Sequence, residues 1–284
     1  MEEGESVTHN GTRLGRIAAY AILGIATLAA LFPIYWTLLT SLRTRVAIFE
    51  TPPRLFGGEL TLDNYRTVFA DGQFQASLII TIVVTVLATL IAVVSGSFAA
   101  YAIARRPRFR TRRPFEGMMI LVRAMPGIVI AVPLFQIVVG LGLYDQPIVL
   151  AITYAAINLP FAVWLMVGFI SGIPVELEES ARVDGASQFR ILRSIILPLV
   201  APGLAATTIF VALLCWNEFL MPLILADQAG KTLPVYIAGF VTSRTIEYGA
   251  MAAAASLAII PIAIVTLLVQ RQLVRGLSLG AVKD

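Results

Sequence analysis

The sequence predicts an all-α membrane protein that crosses the bilayer six times and carries a helical element in one of its loops. Of its 284 residues, 58% are hydrophobic and only 13% are charged, and the mean hydropathy is +0.86. These values lie outside the range of water-soluble domains of this length. Several uncharged windows also reach the roughly 20 apolar residues that a helix needs to cross the hydrocarbon core. A soluble enzyme is therefore excluded.

Apolar segments along the chain define the predicted spans and tails. The six spans are residues 17–40, 77–104, 115–140, 147–171, 196–225 and 249–270. The first segment is longer than the apolar part of a signal peptide, so we expect it to be retained. The predicted organisation is an N-terminal tail of residues 1–16, a transmembrane domain of residues 17–271 and a C-terminal tail of residues 272–284.

The distribution of lysine and arginine predicts the orientation. With both termini in the cytoplasm, the inner segments hold 14 of the 21 basic residues, the outer segments hold six, and Arg123 lies within a span. Cytoplasmic loops of membrane proteins retain positive charge, so the prediction is N-in and C-in. The six arginines within residues 105–113 are interpreted as a topology anchor and not as a nucleic-acid site, so no nucleic-acid partner is expected.

Side chains for catalysis or metal binding are scarce. Cys215 is the only cysteine and His9 the only histidine, which excludes a disulfide, a zinc cluster and a histidine-dependent triad. Gly230-Lys231-Thr232 resembles the end of a phosphate-binding loop, but Leu225 stands where that motif requires glycine. The sequence predicts no enzyme activity, no metal and no bound cofactor in this chain.

The loop of residues 172–198 has a pattern unlike the rest of the chain. A first helix with acidic residues at its start includes Glu178 and Arg182, four residues apart in the orientation that favours an ion pair. Asp184-Gly185 predicts its end, and Ser187 caps a second helix. Apolar residues then recur at helical spacing: Phe189, Leu192, Ile195 and Ile196. Residue patterns alone leave two readings, a docking surface for a partner or an amphipathic element resting on the bilayer.

The same loop resembles the EAA loop of the membrane subunits of ATP-binding cassette (ABC) importers. Glu179-Ser180-Ala181 is followed by Gly185 and then by Ile195-Ile196-Leu197-Pro198 at the spacing of that motif, with Ser180 where alanine is usual. The wider context is similar to the carbohydrate-uptake branch and its maltose-type G subunit. Further stretches that agree are Leu62-Asp63-Asn64-Tyr65, Leu159-Pro160-Phe161 with Trp164, Trp216-Asn217-Glu218-Phe219, and residues 276–283.

This resemblance implies a fold, a function and a set of partners. The fold is that of a type I ABC importer permease in the bacterial inner membrane, and the function is uptake of a sugar through a pore of which this chain forms half. The implied partners are a homologous second permease, two copies of a cytosolic ABC ATPase that uses ATP and Mg²⁺, an extracytoplasmic sugar-binding protein and membrane lipid. The implied ATPase-coupling residues are Glu178, Glu179, Ala181, Asp184, Gly185, Ala186, Leu197 and Pro198.

Polar side chains inside the spans mark candidates for the substrate path or a gate, because they are unfavourable in lipid. Asn158 lies near the predicted bilayer centre, where it bonds either a sugar hydroxyl or a neighbouring helix. Asn217 and Glu218 fall near the outer face and suit a gate. Arg123 either lines the inward path or extends toward the headgroups. Trp164 completes this candidate set.

Two other functional classes stay open at this point. A stand-alone secondary transporter driven by an ion gradient needs membrane-embedded carboxylates, and Glu218 is the only acidic candidate within a predicted span. A membrane scaffold protein needs no helix-glycine-helix element in a loop. Gly168 and Gly172 form a GxxxG pair of the kind that permits close helix contact.

Overall fold

The computed structural model describes residues 9–105, 117, 124–242 and 245–281, with side chains described within 15–105, 117, 124–242 and 245–267. Every regular element in these ranges is helical, and β-type pairing among the described residues is limited to isolated bridges, one of which joins Arg43 and Leu60. The predicted all-α class is confirmed.

The helices are numbered here in chain order. They are α1 (His9–Ser41), α2 (Arg45–Ile48), α3 (Asp63–Ala70), α4 (Gly72–Arg105), α5 (Gly127–Gly140), α6 (Pro147–Ser171), α7 (Glu176–Val183), α8 (Gln188–Ile191), α9 (Leu197–Leu199), α10 (Ala201–Trp216), α11 (Leu220–Leu225), α12 (Leu233–Ala238) and α13 (Tyr248–Ala281). A π-helical turn, Leu192–Ile196, joins α8 to α9.

Four described helices are long and apolar enough to cross a membrane. These segments are Gly15–Ser41, Gly72–Arg105, Pro147–Ser171 and Tyr248–Leu267, and a fifth span results if the bent pair Gln188–Leu199 and Ala201–Trp216 is counted as one. The predicted third span, 115–140, lies partly outside the described residues, which include only α5 as a regular helix in that region. Six spans are therefore not confirmed within the described ranges.

The predicted span over residues 196–225 is not one continuous helix. Its first part bends by 77° between Leu199 and Ala201, and its outer part is interrupted between Trp216 and Leu220. Pro198 and Pro202 lack the N–H groups that a continuous helix needs at the bend. The π-helical turn just before them adds a further local change of helical pitch.

The chain divides into two compact units, of which the first comprises residues 1–70 and 243–256. In α1, side chains of residues 15–35 are exposed, as suits an apolar helix in a membrane. The loop after α1 is organised by Arg43, which is 3% exposed and donates hydrogen bonds to the carbonyls of Arg54 and Gly57. Asn64 joins α3 to the same loop by bonding the carbonyls of Ser41 and Arg43.

The second unit comprises residues 71–242 and 257–284 and contains the main apolar core. Helices α4 and α6 cross closely at Gly96, where an added Cβ would lie 3.0 Å from Ala162 Cβ. At Gly203 in α10, an added Cβ would overlap the ring of Phe169. No described atom of another element lies within 4 Å of a Cβ built on Gly168, so the close helix contacts among the described residues occur at other glycines.

Candidate docking surface

The loop after α6 folds as the helix-turn-helix element that its sequence predicts. Helix α7 ends at Val183, and Gly185 adopts a left-handed conformation, with φ +81°. The hydroxyl of Ser187 accepts a hydrogen bond from the backbone N–H of Arg190 at 3.4 Å and so caps α8. A side chain at position 185 would strain this turn, because L-residues other than glycine rarely adopt that conformation.

The small residues of the motif face inward. Ala181 and Ala186 are half-buried and pack against an apolar cluster that includes Ile191 and Ile196. Ser180, which replaces the usual alanine, is exposed, and its hydroxyl bonds the carbonyl of Leu177 at 3.2 Å. The substitution of serine for alanine is accommodated because this position does not contribute to the packed face.

A compact, partly acidic surface projects from the other side of the element. Glu179 and Asp184 are exposed, Val183 is 88% exposed and Phe189 is 65% exposed. We call these four residues the docking surface. Of the apolar residues that recur along the second helix, Leu192 is buried and Phe189 is exposed.

Leu197 and Pro198 lie in the path from this element to α10. Leu197 is half-buried against the same apolar cluster, and Pro198 is exposed in α9, immediately before the 77° bend. Their place in the fold indicates that they shape the exit from the loop and are not part of the docking surface.

Glu178 is the buried member of the predicted coupling set, with an exposure of 0%. Its Oε1 accepts from Arg105 Nε at 2.5 Å, and its Oε2 accepts from the Tyr101 hydroxyl at 2.8 Å and from Arg182 Nη2 at 3.2 Å. The predicted Glu178–Arg182 pair is confirmed. We call these four residues the Glu178 cluster. Sequence reasoning missed Tyr101 and interpreted Arg105 only as part of a topology anchor.

Two of the predicted path residues lie in α6. Asn158 is 7% exposed, and its amide donates to the Tyr154 carbonyl at 2.9 Å and to Cys215 Sγ at 3.6 Å. It therefore bridges α6 and α10, as one of the two sequence readings anticipated. Trp164 is 53% exposed and stacks on Phe161.

The remaining path candidates lie elsewhere. Asn217 is exposed and Glu218 half-buried in the break between α10 and α11. The Glu218 carboxylate accepts hydrogen bonds from the backbone N–H groups of Leu220 and Met221 at 3.0 and 3.1 Å, which caps α11. Arg123 lies outside the described residues. A role of any of these side chains in the path stays a prediction.

An apolar cavity of about 770 Å³ is lined mainly by α4, α10 and α13, and we call it the α4–α10 cavity. Its lining includes Ile82 and Val86 of α4, Thr208 and Ala212 of α10, and Pro261 of α13. The described members of the predicted path set do not line it. The sequence offered no signal for this cavity, because its lining resembles any other apolar helix face.

At the other end of α6, the half-buried Asp145 connects the loop between α5 and α6 to the loop after α11. The carboxylate of Asp145 accepts four backbone hydrogen bonds, at 2.7 to 3.2 Å, from consecutive residues of the loop after α11: Asp227, Gln228, Ala229 and Gly230. Burial by itself would raise the pKa of Asp145, but these N–H groups hold it below its usual value. We call this arrangement the Asp145 cluster.

The Asp145 cluster also explains the sequence that resembles a phosphate-binding loop. Successive N–H groups of Asp227–Gly230 converge on one anion, as they do in such loops, and here that anion is the Asp145 carboxylate. An added Cβ at Gly230 would lie 2.7 Å from Ala226 Cβ, so glycine is required for this close loop. The loop is therefore closed by the protein's own side chain.

Comparison with known proteins assigns the family. The model of the family described as "binding-protein-dependent transport system inner membrane component" matches residues 92–279, about two thirds of the chain. The chain belongs to this family. The resemblance predicted from the EAA-like loop is confirmed, and this transport component is therefore a permease subunit of the ABC importer type.

Curated relatives cover nearly all of this permease. The trehalose transport system permease protein SugB of Mycobacterium tuberculosis is 38% identical over 257 residues, which are 89% of this chain and 93% of SugB. The diacetylchitobiose uptake system permease protein DasC of Streptomyces coelicolor is 33% identical, over 95% of this chain and 98% of DasC. The trehalose/maltose transport system permease protein MalG of Thermococcus litoralis is 34% identical, over 92% and 95%.

A solved structure has the same fold. A chain of a bacterial ABC transporter that imports the acidic polysaccharide alginate superposes with a TM-score of 0.75 at 27% identity, covering 95% of this permease and 99% of that chain. The bent helix pair and the short connecting helices therefore belong to a fold that is known in ABC importers.

Proposed function

We propose that this chain is the permease subunit of an ATP-driven importer for a sugar, and that it receives the movement of a cytosolic ATPase through its docking surface. The observation that carries this proposal is the element of residues 172–198, in which Ala181 and Ala186 pack inward while acidic and apolar side chains project outward. The relatives SugB, DasC and MalG, whose names specify trehalose, diacetylchitobiose and maltose, support a carbohydrate substrate.

The proposed assembly contains this chain, a homologous second permease that completes the pore, two ATPase subunits and an extracytoplasmic sugar-binding protein. ATP and Mg²⁺ are bound and used by the ATPase subunits. The described residues contain no group of three or more histidine, cysteine, aspartate or glutamate side chains suited to a metal ion. The phosphate-loop-like turn holds Asp145, which supports the proposal that hydrolysis is supplied in trans.

The proposed topology has six spans with both termini in the cytoplasm of a bacterial cell. It rests on the excess of lysine and arginine in the segments predicted to be inside, and it needs a third span that runs through residues 115–140. The docking surface then lies in the cytoplasm and the Asp145 cluster at the outer face. The transmembrane domain of residues 17–271 and the two tails complete this proposal.

The hydrogen bonds that the Glu218 carboxylate accepts support an ABC importer over an ion-driven secondary transporter. A carboxylate that exchanges protons or sodium must be free to change partners during the cycle. The carboxylate of Glu218 instead holds the backbone of α11 through two N–H groups.

Replacement of Gly185 tests the proposed coupling. We expect Gly185→Leu to insert normally but to lower uptake at least tenfold relative to ATP hydrolysis, because Leu strains a turn with φ +81° although its side chain has open space around it. The matched control is Gly172→Leu, at an exposed glycine of the same loop with φ −75°. Normal sugar uptake by Gly185→Leu in reconstituted vesicles would contradict the proposal.

A further inference from the structure

The buried carboxylate of Glu178 joins three separate segments of the protein. Arg105, at the end of α4, donates to Glu178 through Nε and to the carbonyl of Ile173, just after α6, through Nη2 at 3.1 Å. The side chains of Arg105 and Glu178 are 9% and 0% exposed. Tyr101, one turn earlier in α4, binds the second oxygen of the same carboxylate. The end of α4, the start of the loop and α7 are thus connected through one ion pair.

Glu178 and Glu179 are adjacent acids with opposite environments. Glu179 is exposed on the docking surface, whereas both oxygens of Glu178 are occupied by partners within this chain. A carboxylate without an exposed oxygen is not available to bind a partner subunit. The two residues therefore cannot share the coupling role that the motif resemblance assigned to both.

We propose that Glu178 and Arg105 are positioning residues that make α4 move together with α7 when the ATPase moves the docking surface. This inference rests on the proposed function. Apolar contacts such as those of Ala100 with the cluster around Ile191 are non-directional and permit sliding, because they depend on area and not on orientation. The buried ion pair is directional and fixes the register between the two helices.

Movement of α4 matters because its residues line the α4–α10 cavity. Helix α10 also lines this cavity, but it is connected to the docking surface by a different route, through the π-helical turn and the 77° bend before α10. Because one connection is an ion pair and the other is a bend, a displacement of α7 would move α4 and α10 by different amounts and so change the lining of the cavity.

The first test uses the full complex, purified with its ATPase and binding protein and reconstituted in proteoliposomes. The probe sugar is whichever of trehalose, maltose and diacetylchitobiose stimulates ATP hydrolysis by the unmodified complex. We expect Glu178→Ala to retain the ATPase during purification and to hydrolyse ATP, while sugar uptake per ATP falls at least tenfold. The matched control is Glu179→Ala, for which we expect weaker retention of the ATPase.

Exchanging the two charges distinguishes a specific link between α4 and α7 from a general structural role of Glu178 and Arg105. We expect the double variant Glu178→Arg with Arg105→Glu to recover at least a third of the uptake per ATP that either single variant loses. The inference is overturned if Glu178→Ala transports normally, if it loses the ATPase as Glu179→Ala does, or if the exchange recovers nothing. Failure of the proposed function is a different result, because the unmodified chain would then retain no ATPase at all.

A distance measurement tests the link between α4 and α7 without changing Glu178 or Arg105. The background variant is Cys215→Ser, which removes the single native cysteine. Spin labels are then attached at two exposed positions, Glu176→Cys in α7 and Ser95→Cys in α4. We expect their separation to stay constant between the nucleotide-free and vanadate-trapped complexes, while the separation of Glu176→Cys from Leu214→Cys in α10 changes by several ångströms. A change of similar size between α7 and α4 would overturn the inference even where Glu178 variants fail to fold.

Discussion

Two acidic side chains at opposite ends of α6 hold their loops by different chemistry. Glu178 follows α6 and is held by the side chains of Arg105, Tyr101 and Arg182, whereas Asp145 precedes α6 and is held by four backbone N–H groups. Both arrangements satisfy a carboxylate with charge-assisted hydrogen bonds. They differ in whether the partners are side chains from several helices or the backbone of a single loop.

This difference indicates different mechanical roles. A carboxylate held by side chains from several helices connects those helices, so that they move together. A carboxylate held by successive backbone groups fixes the conformation of one loop, and an amide of the same shape does not reproduce its four acceptor interactions. The Glu178 cluster is accordingly suited to transmit movement, and the Asp145 cluster is suited to keep a loop in place.

The largest expected effect is the loss of Arg105. Arg105→Met leaves a fully buried carboxylate with only Tyr101 and Arg182, and we expect a destabilisation of about 3 kcal/mol, at the lower end for a broken buried pair. Unfolding in mixed micelles measures this free energy. Arg105→Met combined with Glu178→Met is the control, since an apolar pair leaves no stranded charge. Equal stability of Arg105→Met and the double variant would show that the loss does not arise from an unpaired buried carboxylate.

The second largest effect concerns the other carboxylate. Asp145→Asn keeps the shape of the side chain but turns an amide N–H₂ toward N–H donors, so we expect a loss of about 2 kcal/mol in the same unfolding measurement. Asp227→Asn, at an exposed carboxylate in the loop that binds Asp145, should change stability by less than about 0.5 kcal/mol. Similar losses in the two variants would show that the specific backbone contacts do not matter.

A smaller effect is expected for Tyr101. Tyr101→Phe removes one hydrogen bond to Glu178, of 2.8 Å, and leaves the Arg105 pair in place, so the expected loss is about 1 kcal/mol. The ratio of uptake to hydrolysis should stay close to that of the unmodified complex, because the ion pair still fixes the register. A tenfold fall in that ratio would show that Tyr101, and not Arg105, links α4 to α7.

The smallest effect is a pH dependence of the Asp145 cluster. The pKa of folded Asp145 lies below its unfolded value, near 3.9, so its contribution is fully present above that value and is lost as the pH falls through the folded pKa. The stability difference between the unmodified protein and Asp145→Asn should therefore shrink below about pH 4. A difference that stays constant down to pH 2 would contradict this linkage. Thermal unfolding from pH 7 to pH 2 measures it.

The sequence by itself determined the fold class and the position of the docking element. Long uncharged apolar windows require helices in a bilayer, because no other open structure satisfies its backbone there. The turn at Gly185, the cap at Ser187 and the Glu178–Arg182 pair depend on residues a few positions apart, and local rules describe such contacts well. The EAA-like spacing supplied the family, which the comparisons confirmed.

Only the tertiary structure decided which residues share a contact across the chain. Glu178 meets Arg105 from 73 positions away, and Asp145 meets a loop some 80 positions away, and no periodicity encodes such encounters. The close contact at Gly203 likewise depends on a side chain of another helix, Phe169 of α6. Hydropathy reports how much of a segment avoids water, but it does not report which partner each side chain finds, because that depends on how the helices pack.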